Sequence, residues 1–101
     1  MDEEGVFLIG DGVRLENTWR VPATAAGAVT DPTTVTLRIE PPTGSVVSFV
    51  YPTGVVKVST GYYRYDYVPT LAGRYWWRWE GTGAAQGAEE GRFTVRPSQV
   101  I

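Results

Sequence analysis

The chain has 101 residues, 43% of them hydrophobic, with no cysteine, no histidine and a formal net charge of −2. This length and apolar content suit a single domain with its own core. The missing cysteine and histidine exclude a disulfide framework, a thiol nucleophile, and metal sites or general bases built on these residues. The basic residues are spread singly along the chain, which argues against a nucleic-acid-binding surface.

The first segment, residues 1–11, carries a short apolar run, Val6 to Ile9, between acidic and glycine-containing flanks. The run is too short for a membrane span, and the acidic start is unlike a secretory signal, so we expect a protein folded in a cytoplasm. Two interpretations stay open for this segment. It is either a first strand of its own domain or an arm that docks on a partner through Phe7 and Ile9.

The next segments show the alternation of half-buried strands. In residues 13–21 one face is predicted to carry Val13, Leu15, Asn17, Trp19 and Val21. Residues 34–40 likewise place Val35, Leu37 and Ile39 on one face. A proline ends each strand, and residues 23–32 are predicted to form a loop. Residues 45–51, 55–59 and 62–68 are three further predicted strands, separated by turns rich in glycine and proline.

Residues 72–81 form the strand around which the fold is expected to organise. Tyr75, Trp77 and Trp79 share one face, which we predict to be core, because aromatic rings bury more apolar area than other side chains. The opposite face carries Arg74, Trp76 and Arg78. Residues 81–87 are predicted to form a loop with little to bury, and residues 91–95 the last strand.

The pattern predicts an all-β fold, since no segment has sustained helical periodicity and turn signals recur every few residues. We expect a β-sandwich of about seven to eight antiparallel strands in preference to a small barrel. The spacing Leu71-x-Gly73-x-Tyr75 resembles the tyrosine corner of immunoglobulin-like domains, in which a tyrosine hydroxyl bonds back to the preceding turn. The sandwich is assigned to residues 12–97, followed by a short tail, 98–101.

No catalytic constellation is legible in this sequence. The carboxylates predicted on strands point outward and are expected to form surface ion pairs, with Asp66 or Glu80 pairing with Arg64, Arg74 or Arg78. No serine has a histidine or a suitably spaced lysine to activate it, and the acidic clusters at residues 2–4 and 89–90 lack the spacing of a calcium loop. We therefore expect a protein that is not an enzyme and holds no metal or cofactor.

The outward aromatic residues are the most informative class for function. Trp76 between Arg74 and Arg78 has the composition of a protein-interface anchor, and Tyr62 is a further candidate contact. Two other interpretations stay open. Trp76 could be covered by its own chain, or it could stack on a sugar ring, which defines the alternative function of a carbohydrate-binding or adhesion module.

Several motifs in order resemble a known family. They are the run from Asp31 to Leu37, the spacing Thr60-Gly61-x-Tyr63-x-Tyr65-Asp66, the stretch Ala72-Gly73-x-Tyr75-x-x-Arg78-Trp79-Glu80-Gly81-Thr82-Gly83, and Glu89-Glu90-Gly91-x-Phe93-x-Val95. The set is similar to small immunoglobulin-like structural proteins of tailed bacteriophages and prophages. The resemblance implies a virion component, in the head decoration, the neck or connector, or the tail. Its implied partners are other virion proteins and copies of itself, with no nucleic acid or membrane.

Overall fold

The computed structural model describes residues 4–22 and 26–98. Parts of three predicted segments lie outside these residues: 1–3 of the N-terminal segment, 23–25 of the first loop and 99–101 of the tail. Within the described residues every helix-or-strand element is a β-strand. The strands are β1 (Glu4–Leu8), β2 (Val13–Thr18), β3 (Arg20–Val21), β4 (Ala28–Val29), β5 (Thr34–Glu40), β6 (Val47–Val50), β7 (Val56–Ser59), β8 (Tyr62–Tyr67), β9 (Gly73–Thr82) and β10 (Gly87–Arg96).

The strands form two main sheets and one short ribbon. Sheet A has five strands in the order β1-β10-β9-β5-β6, sheet B has three in the order β2-β8-β7, and β3 pairs with β4. The all-β prediction is confirmed. The prediction of a wholly antiparallel fold is wrong at β1, which runs parallel to β10. Parallel neighbours need a long connection, and here nearly the whole chain separates the two strands.

One hydrophobic core takes side chains from both sheets. Leu37, Tyr75 and Trp79 of sheet A and Val13 and Tyr63 of sheet B are all buried. Alternate residues of β5 are buried and exposed, because successive side chains in a strand point to opposite faces. The inward positions predicted for β5 are therefore confirmed. Val21 and Trp77, also predicted to point inward, are instead exposed and half-buried respectively.

Trp19 joins the aromatic residues of the two sheets. Its ring lies edge-on to Trp79 at 5.8 Å and to Tyr63 at 5.6 Å between ring centroids. It follows the end of β2, so the single strand predicted over residues 13–21 is interrupted at this position. Its backbone N–H donates to Gly61 and its C=O accepts from Thr30, so two different segments tie this residue. Such edge-to-face pairs add to the free energy gained by burial.

Tyr75 makes the hydrogen bond that the sequence predicts. Its hydroxyl donates to the Leu71 carbonyl oxygen at 2.8 Å and accepts from the Leu71 N–H at 3.2 Å. The ring also stacks on Phe93 with centroids 4.9 Å apart. The tyrosine thus fixes the turn that leads into β9.

The segment 81–87 differs from its prediction. β9 continues to Thr82, one residue beyond its predicted end, and β10 already begins at Gly87, four residues before its predicted start. Ala85 is fully buried, and the expectation of a loop with little to bury is wrong there. Small residues are needed because Trp19 packs on this backbone: a Cβ at Gly81 would lie 2.4 Å from the Trp19 Nε1. The composition that suggested a loop marks a close approach instead.

Asp31 is the main polar tie between the first loop and sheet B. One carboxylate oxygen accepts the Gly61 N–H at 2.7 Å and the Tyr63 hydroxyl at 3.1 Å, and the other accepts Lys57 Nζ at 2.7 Å. The bonds from Lys57 and then Gly61 hold the pKa of Asp31 below its ordinary value of 3.8. Burial, together with the bond to Asp31, raises the pKa of Tyr63 to about 12.

This carboxylate predicts a pH dependence of stability. A group whose pKa is lowered by folding stabilises the native state above its unfolded pKa, and this stabilisation is lost as the pH falls through the folded value. We expect Asp31→Asn to be less stable than the parent at neutral pH and to lose less stability between about pH 5 and pH 2. Urea unfolding at several pH values measures this. Parallel losses in both proteins would contradict the role assigned to Asp31.

Candidate interaction surface

The outer face of sheet A is the side opposite the core. It is formed by the outward residues of its strands, and the central three strands present mainly charged and polar side chains around one tryptophan. Those residues are Thr36, Arg38 and Glu40 on β5, Arg74, Trp76, Arg78 and Glu80 on β9, and Glu90, Arg92 and Thr94 on β10.

Trp76 lies in the middle of this surface and is 45% exposed. In the register of the sheet it stands between Glu40 on β5 and Arg92 on β10. The Arg92 guanidinium carbon lies 5.3 Å from the ring centroid, a cation–π contact. The indole is therefore held in place by its neighbours while much of it stays open to a partner.

A network of ion pairs lies beside the indole and spans β5, β9 and β10. Arg78 donates to Glu80 and to Glu90, both at 2.7 Å, and Arg38 also pairs with Glu80. The bonds from Arg78 and then Arg38 lower the pKa of Glu80. Glu80 does pair with Arg78, but within β9, whereas the prediction was of a pair between strands. Its partner on a neighbouring strand is Arg38. Charges fixed in this way give the surface a preorganised polar rim.

A pocket of about 300 Å³ opens between this network and Trp76. It offers one aromatic ring, guanidinium donors and carboxylate acceptors around a small depression. Its walls are formed by Arg38, Glu40, Val46, Trp76, Trp77, Arg78 and Glu90. Trp77, predicted as core, is half-buried: it packs against the core and also lines this pocket. A pocket of this size lies at the lower end of the range for small-molecule sites.

The structure brings three of the candidate interface residues together and places the others elsewhere. Arg74, Trp76 and Arg78 share the outer face of sheet A. Phe7 and Ile9 are half-buried and pack against the core, with Phe7 edge-on to Phe93 at 5.8 Å. Residues 4–8 therefore form a strand of their own domain.

The exposed apolar residues of β1 were not singled out from the sequence. Val6 is 60% exposed and Leu8 is 49% exposed, and in the register of β1 and β10 they stand beside Thr94 and Arg96 on the outer side. The alternation of residues 6–9 contained this signal, since Phe7 and Ile9 must point opposite to Val6 and Leu8. These two side chains extend the outer face of sheet A past the charged region.

Tyr62 lies on the other sheet. It is half-buried on β8, and its hydroxyl donates to Glu16 on β2. The bond to Glu16 and burial raise the pKa of Tyr62. It does not take part in the surface around Trp76.

The chemistry of the described residues adds two observations. They contain no group of three or more acidic, histidine or cysteine residues placed to hold a metal ion. Within the same part of the chain, no helix is long and apolar enough to cross a membrane.

No protein-family model matches the chain, and a search of curated proteins finds no significant match.

Proposed function

We propose that this chain is a non-enzymatic structural protein of a tailed-phage virion, a head decoration, neck or tail component. It acts by binding neighbouring virion proteins through the outer face of sheet A. The setting rests on the sequence resemblance described above. The immunoglobulin-like sandwich that belongs to this proposal is supported by two sheets that share one core and by the Tyr75 bonds to Leu71.

The observation that carries the proposal is the exposed indole of Trp76 on a rigid sheet. Tryptophan and arginine are both enriched among the residues that dominate binding energy at protein interfaces. Trp76 lies on β9, the middle one of three strands that ion pairs connect. The surface is therefore already ordered, and little conformational entropy is lost on binding. In a symmetric assembly, repeated copies of such a contact add up through avidity.

The proposal is tested by mixing the purified protein with the capsid, neck and tail proteins encoded beside it and measuring mass by light scattering. A stable complex with one of them is the expected result. We expect Trp76→Ala to weaken that complex by about thirtyfold or more, the effect of losing an interface anchor.

Val58→Ala is the matched control for this variant. Val58 is 43% exposed, close to the exposure of Trp76, but lies on β7 of sheet B. Its binding should equal that of the parent. No complex with any of these proteins, or equal losses for both variants, would contradict the proposal.

The pocket beside Trp76 favours one second candidate, a carbohydrate-binding module. An indole face next to carboxylates and guanidinium groups fits a sugar ring, which stacks on the aromatic ring and hydrogen-bonds through its hydroxyls. A glycan array separates the two candidates. Binding of a glycan by the isolated monomer, abolished by Trp76→Ala, would favour this second function.

A further inference from the structure

The outer strand β2 of sheet B presents an unpaired edge. The Trp19 N–H donates to the Gly61 carbonyl at 2.8 Å, and Thr18 stands opposite Tyr62. Because hydrogen-bonded and non-bonded pairs alternate along an antiparallel ladder, the backbone groups of Arg14, Glu16 and Thr18 point away from β8. Among the described residues no strand pairs with β2 on that side. β2 therefore offers a regular edge of six residues.

The other edges of the two sheets each carry a local irregularity. On β1 the Asp11 carboxylate accepts the Leu8 N–H at 2.9 Å, and the Asp11 N–H donates to the Leu8 carbonyl at 3.0 Å. On β6 the Val50 carbonyl accepts from the N–H groups of Gly54 and Val55. The pairing of β7 with β8 shifts register between residues 57 and 59. Such irregularities hinder pairing with other chains. β2 has neither a register shift in its pairing with β8 nor a capped end of this kind, and its edge carries one residue of each charge, Arg14 and Glu16.

We propose that β2 is the contact of a two-fold symmetric dimer, in which a second copy of this chain adds its own β2 in antiparallel register with Leu15 facing Leu15. The outward N–H and C=O groups of Arg14 in one copy then lie opposite those of Glu16 in the other copy. These two residues can therefore exchange backbone hydrogen bonds, as paired residues of an antiparallel ladder do. Sheet B of one copy and sheet B of the other then form one continuous six-stranded sheet. A two-fold axis requires a self-complementary surface, and this register provides it.

The charges of the outward side chains select this register. With Leu15 on the axis, Arg14 of each copy lies opposite Glu16 of the other copy. A shift that put Arg14 or Glu16 on the axis would set like charges against each other, which is unfavourable for directly opposed residues. A shift by one residue would place inward side chains beside outward ones.

The neighbouring strand extends the same complementarity. Arg14 already pairs with Asp66 on β8 at 2.9 Å, and Glu16 stands opposite Arg64 on β8 and accepts the Tyr62 hydroxyl. In the dimer, four charged side chains would therefore lie side by side across the sheet: Asp66 and Arg14 of one copy, followed by Glu16 and Arg64 of the second copy. The charges alternate in sign through all four strands.

The test is sedimentation velocity over a wide concentration range, because edge pairing buries little area and gives a modest affinity. We expect a species of twice the 11.1 kDa chain mass to appear as concentration rises. Arg14→Glu and Glu16→Arg should each weaken dimerisation about tenfold or more, since each change places like charges together twice across the axis. Arg96→Glu and Glu89→Arg, charge reversals on β10 of sheet A, should leave it unchanged.

An equimolar mixture of the two variants gives the decisive result. The Arg14→Glu copy and the Glu16→Arg copy are complementary in the proposed register, so the mixture should regain the dimerisation affinity that each variant alone has lost. Circular dichroism and thermal unfolding establish that both variants are folded. A chain that stays monomeric at all concentrations, or a dimer indifferent to these charges, would overturn the proposal. Trp76→Ala lies on the other sheet and should leave the dimer intact, so failure here is distinct from failure of the proposed function.

Discussion

Replacing Trp79 by alanine is expected to lower the free energy of unfolding by about 3–5 kcal/mol. Trp79 is fully buried, and among the described residues it is the largest of the fully buried side chains. It lies between Leu37 on β5 and the edge of the Trp19 ring, so its removal leaves a cavity between the sheets. The cost combines lost apolar burial with a cavity that rigid strands cannot close.

Urea unfolding followed by circular dichroism measures this effect. Trp76→Ala is the matched control, because Trp76 is also a tryptophan of β9 but points to the opposite face and is 45% exposed. Its substitution should change the free energy of unfolding little. The loss of unfolding free energy in Trp79→Phe should lie between those of the two alanine variants. Phenylalanine keeps part of the buried ring, and the Trp79 indole N–H is buried without a hydrogen-bond partner, so removing it costs nothing. Equal destabilisation by Trp76→Ala and Trp79→Ala would refute the assignment of the two faces of β9.

Gly61→Ala is expected to lower the free energy of unfolding by about 2–4 kcal/mol. Gly61 has φ +73°, a conformation that side chains disfavour. An added Cβ would lie 2.4 Å from Val29 Cγ1 and 2.9 Å from both the Thr30 nitrogen and the Trp19 oxygen. Two of these neighbours are backbone atoms, and Asp31 and Trp19 hold Gly61 in place by hydrogen bonds. The chain therefore has little room to relax.

Gly44→Ala separates the two causes. Gly44 has φ +87°, yet an added Cβ would meet nothing within 4 Å. Its substitution should cost only the conformational part, about 1–2 kcal/mol. Thermal and urea unfolding of both variants measure the difference. Equal costs would show that the contact of Gly61 with the segment 28–30 contributes nothing to stability.

The alternation of side chains predicts most faces of the strands correctly. It places Val35, Leu37 and Ile39 in the core and Trp76 at the surface, because a strand has only two sides and burial selects the apolar one. The spacing before Tyr75 also predicts its bond to Leu71. These features depend on neighbours within a few residues along the chain.

Features that depend on pairing between distant segments are not predicted. Alternation within a strand does not specify its neighbour, so the parallel pairing of β1 with β10 could not be derived from it. The same limit applies to ion pairs: Asp66 pairs with Arg14, which was not among the predicted partners, because β2 stands beside β8 in that register. The surface around Trp76 likewise combines residues of β5, β9 and β10, which only the sheet order brings together.

We propose that the outer face of sheet A is the surface through which this protein binds its neighbours. Hydroxyl-radical footprinting of the free protein and of the protein in assembled virions tests it directly, since oxidation of aromatic side chains reports their exposure. We predict strong protection of Trp76 in the assembly and unchanged oxidation of Tyr51, which is 43% exposed just after β6 at the rim of the sheet. Oxidation of Trp76 at the same rate in both states would contradict the claim.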